Sequence, residues 1–192
     1  MGNSIRTFIA FASPVDLVQL AGALQTDLKK SGLRLRWVRP DNIHLTLKFL
    51  GDIAPQQAAA VADAMQTAAL DIPVLPLTVQ GMGVFPNMRQ PRVLWVGLGG
   101  QIDGLRQLHA ALEMQLAALG FAMERRPFRA HLTLARIKEP PDQGLLRQAL
   151  ETAGQYAPGC FQAEELILFQ SVLQPGGATY TPLARVRLGE GG

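Results

Sequence analysis

Hydrophobic positions along the chain follow two periods, and the switches between them mark alternating strands and helices. Ile5–Ala12 is apolar and β-branched at its start, which predicts a strand. Ser13-Pro14 reads as a helix start, with Ser13 as N-cap and Pro14 at the first helical position. Leu17, Leu20, Leu24 and Leu28 then recur at helical spacing until Gly32 closes the run. Leu35–Val38 predicts a short strand, Pro40-Asp41-Asn42 a turn, and the stretch from Ile43 to Phe49 a half-buried strand stopped by Gly51. Ala54–Leu70 is an Ala-rich helical stretch with Pro55 in its first turn. Leu75–Phe85 predicts a strand with a bulge or turn near Gly81-Met82-Gly83, and Arg92–Leu98 another strand. Ile102–Leu119 carries a second leucine stripe (Leu105, Leu108, Leu112, Leu116, Leu119) closed by Gly120. Beyond it come a strand over Phe128–Ile137, a helix over Asp142–Ala153, and a loop over Gly154–Gly159. A strand region over Phe161–Leu173, a turn over Gln174–Gly177 and a last strand over Tyr180–Leu188 complete the chain.

Two of the predicted strands are near copies. His44-Leu45-Thr46-Leu47 recurs as His131-Leu132-Thr133-Leu134, and Arg-Pro stands ahead of each, at Arg39-Pro40 and Arg126-Pro127. The offsets agree: 131 − 44 = 87 and 126 − 39 = 87. The same offset carries Asp16, at the start of one helix, onto Asp103, at the start of another. A duplicated half-domain accounts for this, each half donating one His and one Thr. Alternate residues of a strand face opposite ways, so Leu45 and Leu47 share one face while His44 and Thr46 share the other. No low-complexity linker separates the halves, so residues 1–192 are expected to pack as a single bilobal domain.

Composition narrows the chemistry. Apolar residues make up 48% and charged residues 17%, which is globular and excludes a disordered chain. The net charge of +3 is modest, yet eleven of the eighteen Lys and Arg residues flank the two copies, from Lys29 to Lys48 and from Arg125 to Lys138. Solvated strand ends would explain such clusters. A positive cleft for a phosphorylated ligand explains them better. A single cysteine, Cys160, leaves no internal disulfide and points to a reducing, cytoplasmic setting. The apolar run Phe8–Ala12 is too short to span a membrane.

Two imidazoles and two hydroxyls among arginines suit displacement at phosphorus. One His can act as base on the entering oxygen and the other as acid on the leaving one, since His titrates near working pH. Thr46 and Thr133 would donate to the non-bridging oxygens. A metal site is disfavoured: there is no H-E-x-x-H, H-x-H or cysteine cluster, so neither metal nor other cofactor is expected. None of Ser4, Ser13, Ser31 or Ser171 sits in a nucleophile elbow. The third histidine, His109, lies beside the leucine stripe of its helix, has no duplicate in the first half and is expected to be a surface or boundary residue.

These residues resemble the two-histidine phosphoesterase superfamily, named for paired H-x-T-x motifs. Within it the chain is most similar to the RNA 2′,3′-cyclic phosphodiesterases, also called 2′-5′ RNA ligases. The resemblance spans nearly the whole chain, through Arg6–Ala12, HLTLKFLG at His44–Gly51, PRVLWV at Pro91–Val96, RPFRAHLTLAR at Arg126–Arg136, and Gln170-Ser171 with Pro175, Gly176 and Tyr180. It implies an α+β fold of two similar lobes, antiparallel sheets facing across a central cleft with helices outside. It implies metal-independent hydrolysis of a terminal 2′,3′-cyclic phosphate to a 2′-phosphomonoester, His44 as proton donor and His131 as proton acceptor. Reversible 2′-5′ joining of RNA ends is the reverse use of such a site. The implied partner is RNA with a cyclic-phosphate end, tRNA-derived ends among the candidates; no membrane is involved and a monomer is expected.

Arg136 matches a phosphate-contacting position of that family, although counting from His131 puts it on the leucine face unless the strand ends or bulges near Ala135. Lys48 has the parity of His44 and Thr46 and is expected to line the cleft. Phe11 and Tyr180 are candidate base-stacking residues, as is Phe85, against the alternative that each packs in the core. Two rival functions stay open. One is a non-catalytic binder of RNA ends; the other is a phosphodiesterase acting on 2′-5′ oligonucleotides or on metabolites derived from cyclic nucleotides.

Overall fold

Strand pairing in the computed structural model, which describes residues 4–153, 159–175 and 177–189, is antiparallel throughout and gathers nine strands into one sheet. In chain order these are β1 (Ile5–Phe11), β2 (Arg36–Trp37), β3 (Leu45–Ile53), β4 (Leu75–Phe85), β5 (Val93–Gly100), β6 (His131–Arg136), β7 (Cys160–Ala163), β8 (Glu165–Gln174) and β9 (Gly177–Arg187). Four helices intervene: α1 (Val15–Lys30), α2 (Gln57–Ala69), α3 (Ile102–Ala118) and α4 (Gln143–Ala153). The spatial order is β7-β4-β5-β6-β3-β1-β8-β9, with β2 pairing against β6.

Two four-stranded lobes meet in the middle of that order. β3 and β6 pair at one position only, Leu45 opposite Leu132, so the sheet is nearly severed between the two strands that carry the repeated tetrapeptides. The lobes are not the two halves of the sequence. β4, from the first half, lies between β5 and β7 in the lobe of β6, while β8, from the second, lies beside β1. Each lobe therefore takes a strand from the other half of the chain, and neither could bury its core alone.

The leucine stripes do most of what their spacing predicts, although Leu20 is only partly buried and Leu119, just past the end of α3, is 40% exposed. Leu17, Leu24 and Leu28 of α1 and Leu105, Leu108, Leu112 and Leu116 of α3 are all buried. Each such side chain contributes about 1.5–3 kcal/mol. Leu45 and Leu47, with Leu132 and Leu134, point into the same core.

Several local expectations need correction. Ser13 does not cap α1: Pro14 is the cap residue, and the Ser13 hydroxyl instead donates to the Ile43 carbonyl, tying the helix entry to the approach of β3. Gly51 does not end β3. It sits inside the strand at φ 76°, where the pairing with β1 slips between Phe49 and Gly51, a bulge that glycine accommodates. The strand region expected over Phe161–Leu173 divides into β7 and β8, which pair with opposite lobes. The bulge expected near Gly81 is present, where the ladder to β5 slips between Gln80 and Met82. The loop expected over Gly154–Gly159 falls, except for Gly159, outside the described residues, as does Gly176 of the turn over Gln174–Gly177.

Candidate active site

Both tetrapeptides sit where the lobes meet. His131 opens β6 and His44 immediately precedes β3, and together with Thr46 and Thr133 they line one cleft of about 370 Å³. Four arginines line it as well: Arg6 from β1, Arg36 from β2, Arg39 just beyond, and Arg136 from β6. No acidic side chain among the described residues lines the cleft, so its field favours an anion.

A bulge in each strand decides which residues reach this cleft. In β6 the pairing with β5 jumps from Trp95 opposite Thr133 to Leu94 opposite Ala135, leaving Leu134 as the extra residue. Leu134 and Ala135 consequently both face the core, and Arg136 returns to the cleft side. The parity conflict at Arg136 is resolved in this way. β3 does the same thing 87 residues earlier: its pairing with β1 jumps from Ala10 opposite Thr46 to Ile9 opposite Lys48, with Leu47 left over. Lys48 is thereby turned to the core side, where it is 8% exposed and bonded to Glu113. The expectation that Lys48 lines the cleft is thus overturned. Phe49 takes its place, 64% exposed and on the cleft wall, where unbroken alternation would have buried it.

Phe11 also fails as a cleft residue. It pairs across from Leu45, neighbours across a ladder share a face, and Leu45 faces the core; Phe11 is buried with it. Tyr180 does line the cleft. The imidazole of His44 is held between the face of Phe8, at 4.8 Å and 27°, and the edge of Tyr180, at 5.2 Å and 88°. Phe85 stacks on Trp95 at 5.0 Å and meets His131 edge-on at 4.9 Å. Arg6 and Phe8 had no place among the sequence candidates. The available signal was a charge at position 6 inside an apolar strand, on the same parity as Phe8.

The two imidazoles are oriented by matching bonds. His44 Nδ1 lies 2.8 Å from the Asn42 carbonyl and His131 Nδ1 lies 2.7 Å from the Arg129 carbonyl, each two residues upstream. A carbonyl can only accept, so each Nδ1 carries the proton, and each Nε2 is the atom left to give or take one. Burial pushes the His44 pKa down to about 4; the Asn42 carbonyl opposes this and the Arg136 charge reinforces it. Burial likewise lowers His131, against the pull of the Arg129 carbonyl. Tyr180 is raised by burial, with Arg136 and Arg6 acting the other way. Arg136, carried by the strand of one His, is therefore felt at the other and at Tyr180.

His109 lies away from the cleft, half-buried on α3 and stacked on Phe128 at 4.3 Å, the boundary position its sequence suggested. Among the described residues no group of three or more His, Cys, Asp or Glu side chains is placed to hold a metal ion, and no helix is long and apolar enough to cross a membrane.

Residues 13–95 and again 96–180 match the family model described as LigT like Phosphoesterase. Among curated proteins, the RNA 2′,3′-cyclic phosphodiesterase of Aeropyrum pernix is 31% identical over 169 residues, covering 88% of this chain and 95% of its own. That of Thermotoga maritima is 31% identical over 188 residues, covering 98% and 97%. Among solved structures, a protein of Thermus thermophilus superposes with a TM-score of 0.76 at 26% identity, covering 96% of this chain and 98% of that one. Escherichia coli LigT complexed with 3′-AMP superposes with a TM-score of 0.75 at 27% identity, covering 98% and 100%.

Proposed function

The chain belongs to the LigT-like phosphoesterase family, and on that premise we propose that it hydrolyses the terminal 2′,3′-cyclic phosphate of RNA to a 2′-phosphomonoester. The observation that carries the reading is the pair of imidazoles on one cationic cleft, each with Nδ1 bonded to a carbonyl two residues back and Nε2 free for proton transfer.

In this reading the cyclic phosphate anion sits between the two rings. His131 Nε2 takes a proton from water as its oxygen bonds to phosphorus. The bond from phosphorus to O3′ breaks, and His44 Nε2 delivers its proton to that departing oxygen. Thr46, Thr133 and Arg136 bear the charge on the non-bridging oxygens. In the free protein burial holds both imidazoles neutral. The bound anion supplies what the acid lacks, because a negative charge beside a ring favours its imidazolium form and offsets Arg136. The ring assigned as acid is one that burial holds well below its ordinary value, so substrate binding and protonation of His44 are coupled.

We read the chain as a duplicated half-domain folded as one unit, acting as a monomer in the cytoplasm on RNA ends that include tRNA-derived ones. The twofold match to one family model and the 87-residue offset support the duplication. With a 5′-hydroxyl in place of water as the attacking oxygen, the same displacement, again breaking the bond to O3′, would join two RNA ends through a 2′-5′ linkage.

The test is turnover of an RNA oligonucleotide ending in a 2′,3′-cyclic phosphate. His44→Ala and His131→Ala should each abolish it, and a chelator should leave the wild type active. Full activity in either variant removes the mechanism. Incubation with a 2′,3′-cyclic mononucleotide separates an enzyme from a mere binder, which would release no monophosphate.

A further inference from the structure

On the core side of the sheet, behind the cleft, the protein buries an ion pair that the reaction as described leaves unused. Lys48 Nζ lies 2.8 Å from Glu113 Oε2 and 2.7 Å from Oε1, with the side chains 9% and 7% exposed. Burial pushes the Glu113 carboxyl up, yet its bonds to Lys48 and to the Glu124 N–H hold it below the ordinary carboxylate value, so the carboxyl is ionised.

Both partners have a second task. The Lys48 ammonium donates to the Ala122 carbonyl at 2.7 Å, and the Glu113 carboxylate accepts the Glu124 N–H at 2.8 Å. Residues 121–130, which lead from α3 to His131, form neither helix nor strand. The Arg129 carbonyl that orients His131 belongs to this stretch. So does Phe128, which stacks on His109, whose Nε2 is 3.8 Å from Glu113 Oε1.

Replacing a buried ion pair by apolar residues of like volume is often neutral or stabilising, so stability alone is a weak reason for this one. The ladder leaves a gap that the pair fills. β3 and β6 share a single residue pair, which holds the setting of one imidazole against the other only loosely. We infer that Lys48 and Glu113 are positioning residues. From β3 and α3 they clasp the lead-in to β6, and so hold the Arg129 carbonyl and the His131 ring at the distance from His44 that in-line transfer needs. The consequence for rate rests on the phosphodiesterase reading; the consequence for the His131 ring does not.

The full-length Lys48→Met/Glu113→Leu double variant tests this, since it removes both charges and keeps the volume. Its melting temperature should stay close to wild type. Its kcat on the cyclic-phosphate oligonucleotide should fall on the order of 100-fold, the size expected for about 1 Å of misplacement, with KM little changed. Glu113→Gln, which keeps an acceptor for the Glu124 N–H but drops the charge, should fall between. In ¹⁵N spectra of the imidazoles, the His131 Nδ1 resonance should shift or broaden in the double variant while that of His44 stays put. A folded double variant with wild-type kcat and a wild-type His131 spectrum overturns the inference. If the double variant does not fold, wild-type values of both in Glu113→Gln overturn it equally. If the wild type itself leaves the cyclic phosphate intact, the phosphodiesterase reading fails, and the imidazole spectra still decide the positioning.

Discussion

Acidification from pH 7.5 to 4 should weaken the folded protein, and His44 accounts for a definite share of the loss. Its ring is enclosed by Phe8 and Tyr180, and burial, reinforced by Arg136 against the Asn42 carbonyl, brings its pKa from 6.5 to about 4. A gap of about 2.5, at about 1.4 kcal/mol per pH unit, corresponds to about 3 kcal/mol. The sign follows from proton counting. Below pH 6.5 the unfolded chain binds a proton at His44 that the folded chain refuses until about pH 4, so stability falls as pH falls through that window. Above 6.5 both states are neutral and the contribution is fully present. Other groups titrate in the same range, which makes His44→Gln the necessary control. Urea unfolding of both proteins at pH 7.5, 6, 5 and 4 should show the wild type losing about 3 kcal/mol more than the variant across the series. Parallel pH dependences, or a folded-state imidazole titration of His44 near 6.5, would refute the idea that the enclosed ring is held neutral.

Three further outcomes follow from the same geometry. Because both imidazoles titrate below 6.5 in the free protein, kcat/KM should peak on the acid side and fall about tenfold per pH unit above it, whereas the alkaline limb of kcat should lie at higher pH, where bound anion favours the imidazolium. Urea midpoints should separate Lys48→Met, which strands the buried Glu113 carboxylate and costs about 3–5 kcal/mol, from Phe49→Ala, which should stay within about 0.5 kcal/mol; unbulged alternation demands the opposite ranking. Arg136→Gln should lower kcat/KM by about 100-fold and raise the His44 pKa, read by kinetics and imidazole titration on the same sample.

Helix stripes and strand alternation were legible because each reports a face, and a face is what a folded core selects. Leu45, Leu47, Leu132 and Leu134 are all buried, as alternation requires, and His44, Thr46, His131 and Thr133 all reach the cleft. The duplicated tetrapeptide also disclosed that two strands had to meet. It could not disclose how, because the exchange of β4 and β8 between lobes is long-range pairing that leaves no local period. Errors concentrated just past the tetrapeptides. Lys48 was misplaced and Arg136 left in conflict by counting alternate residues through a bulge, and a bulge is a property of the partner strand as much as of its own. Arg6 was overlooked for another reason: its partners in the cleft come from strands distant in sequence.

Twin bulges have a consequence for the chemistry itself. The two imidazoles, proposed to take opposite parts in proton transfer, share a tetrapeptide, a carbonyl partner two residues upstream and a leucine bulge at equivalent offset, 47 + 87 = 134. What separates them is the company that equivalent positions provide. Position 8 places a phenylalanine ring flat against His44, whereas 8 + 87 = 95 is a tryptophan set edge-on to His131 at a centroid distance of 6.4 Å. The residue that each bulge returns to the cleft is Phe49 in one strand and Arg136, at 49 + 87, in the other. Of these two equivalent positions only the second carries a charge, and the Arg136 guanidinium acts on the more enclosed imidazole across the junction. Local sequence thus presents two equal rings, and the residues brought in around them by tertiary pairing give the rings different surroundings, so that protonation of His44 depends on what the cleft binds.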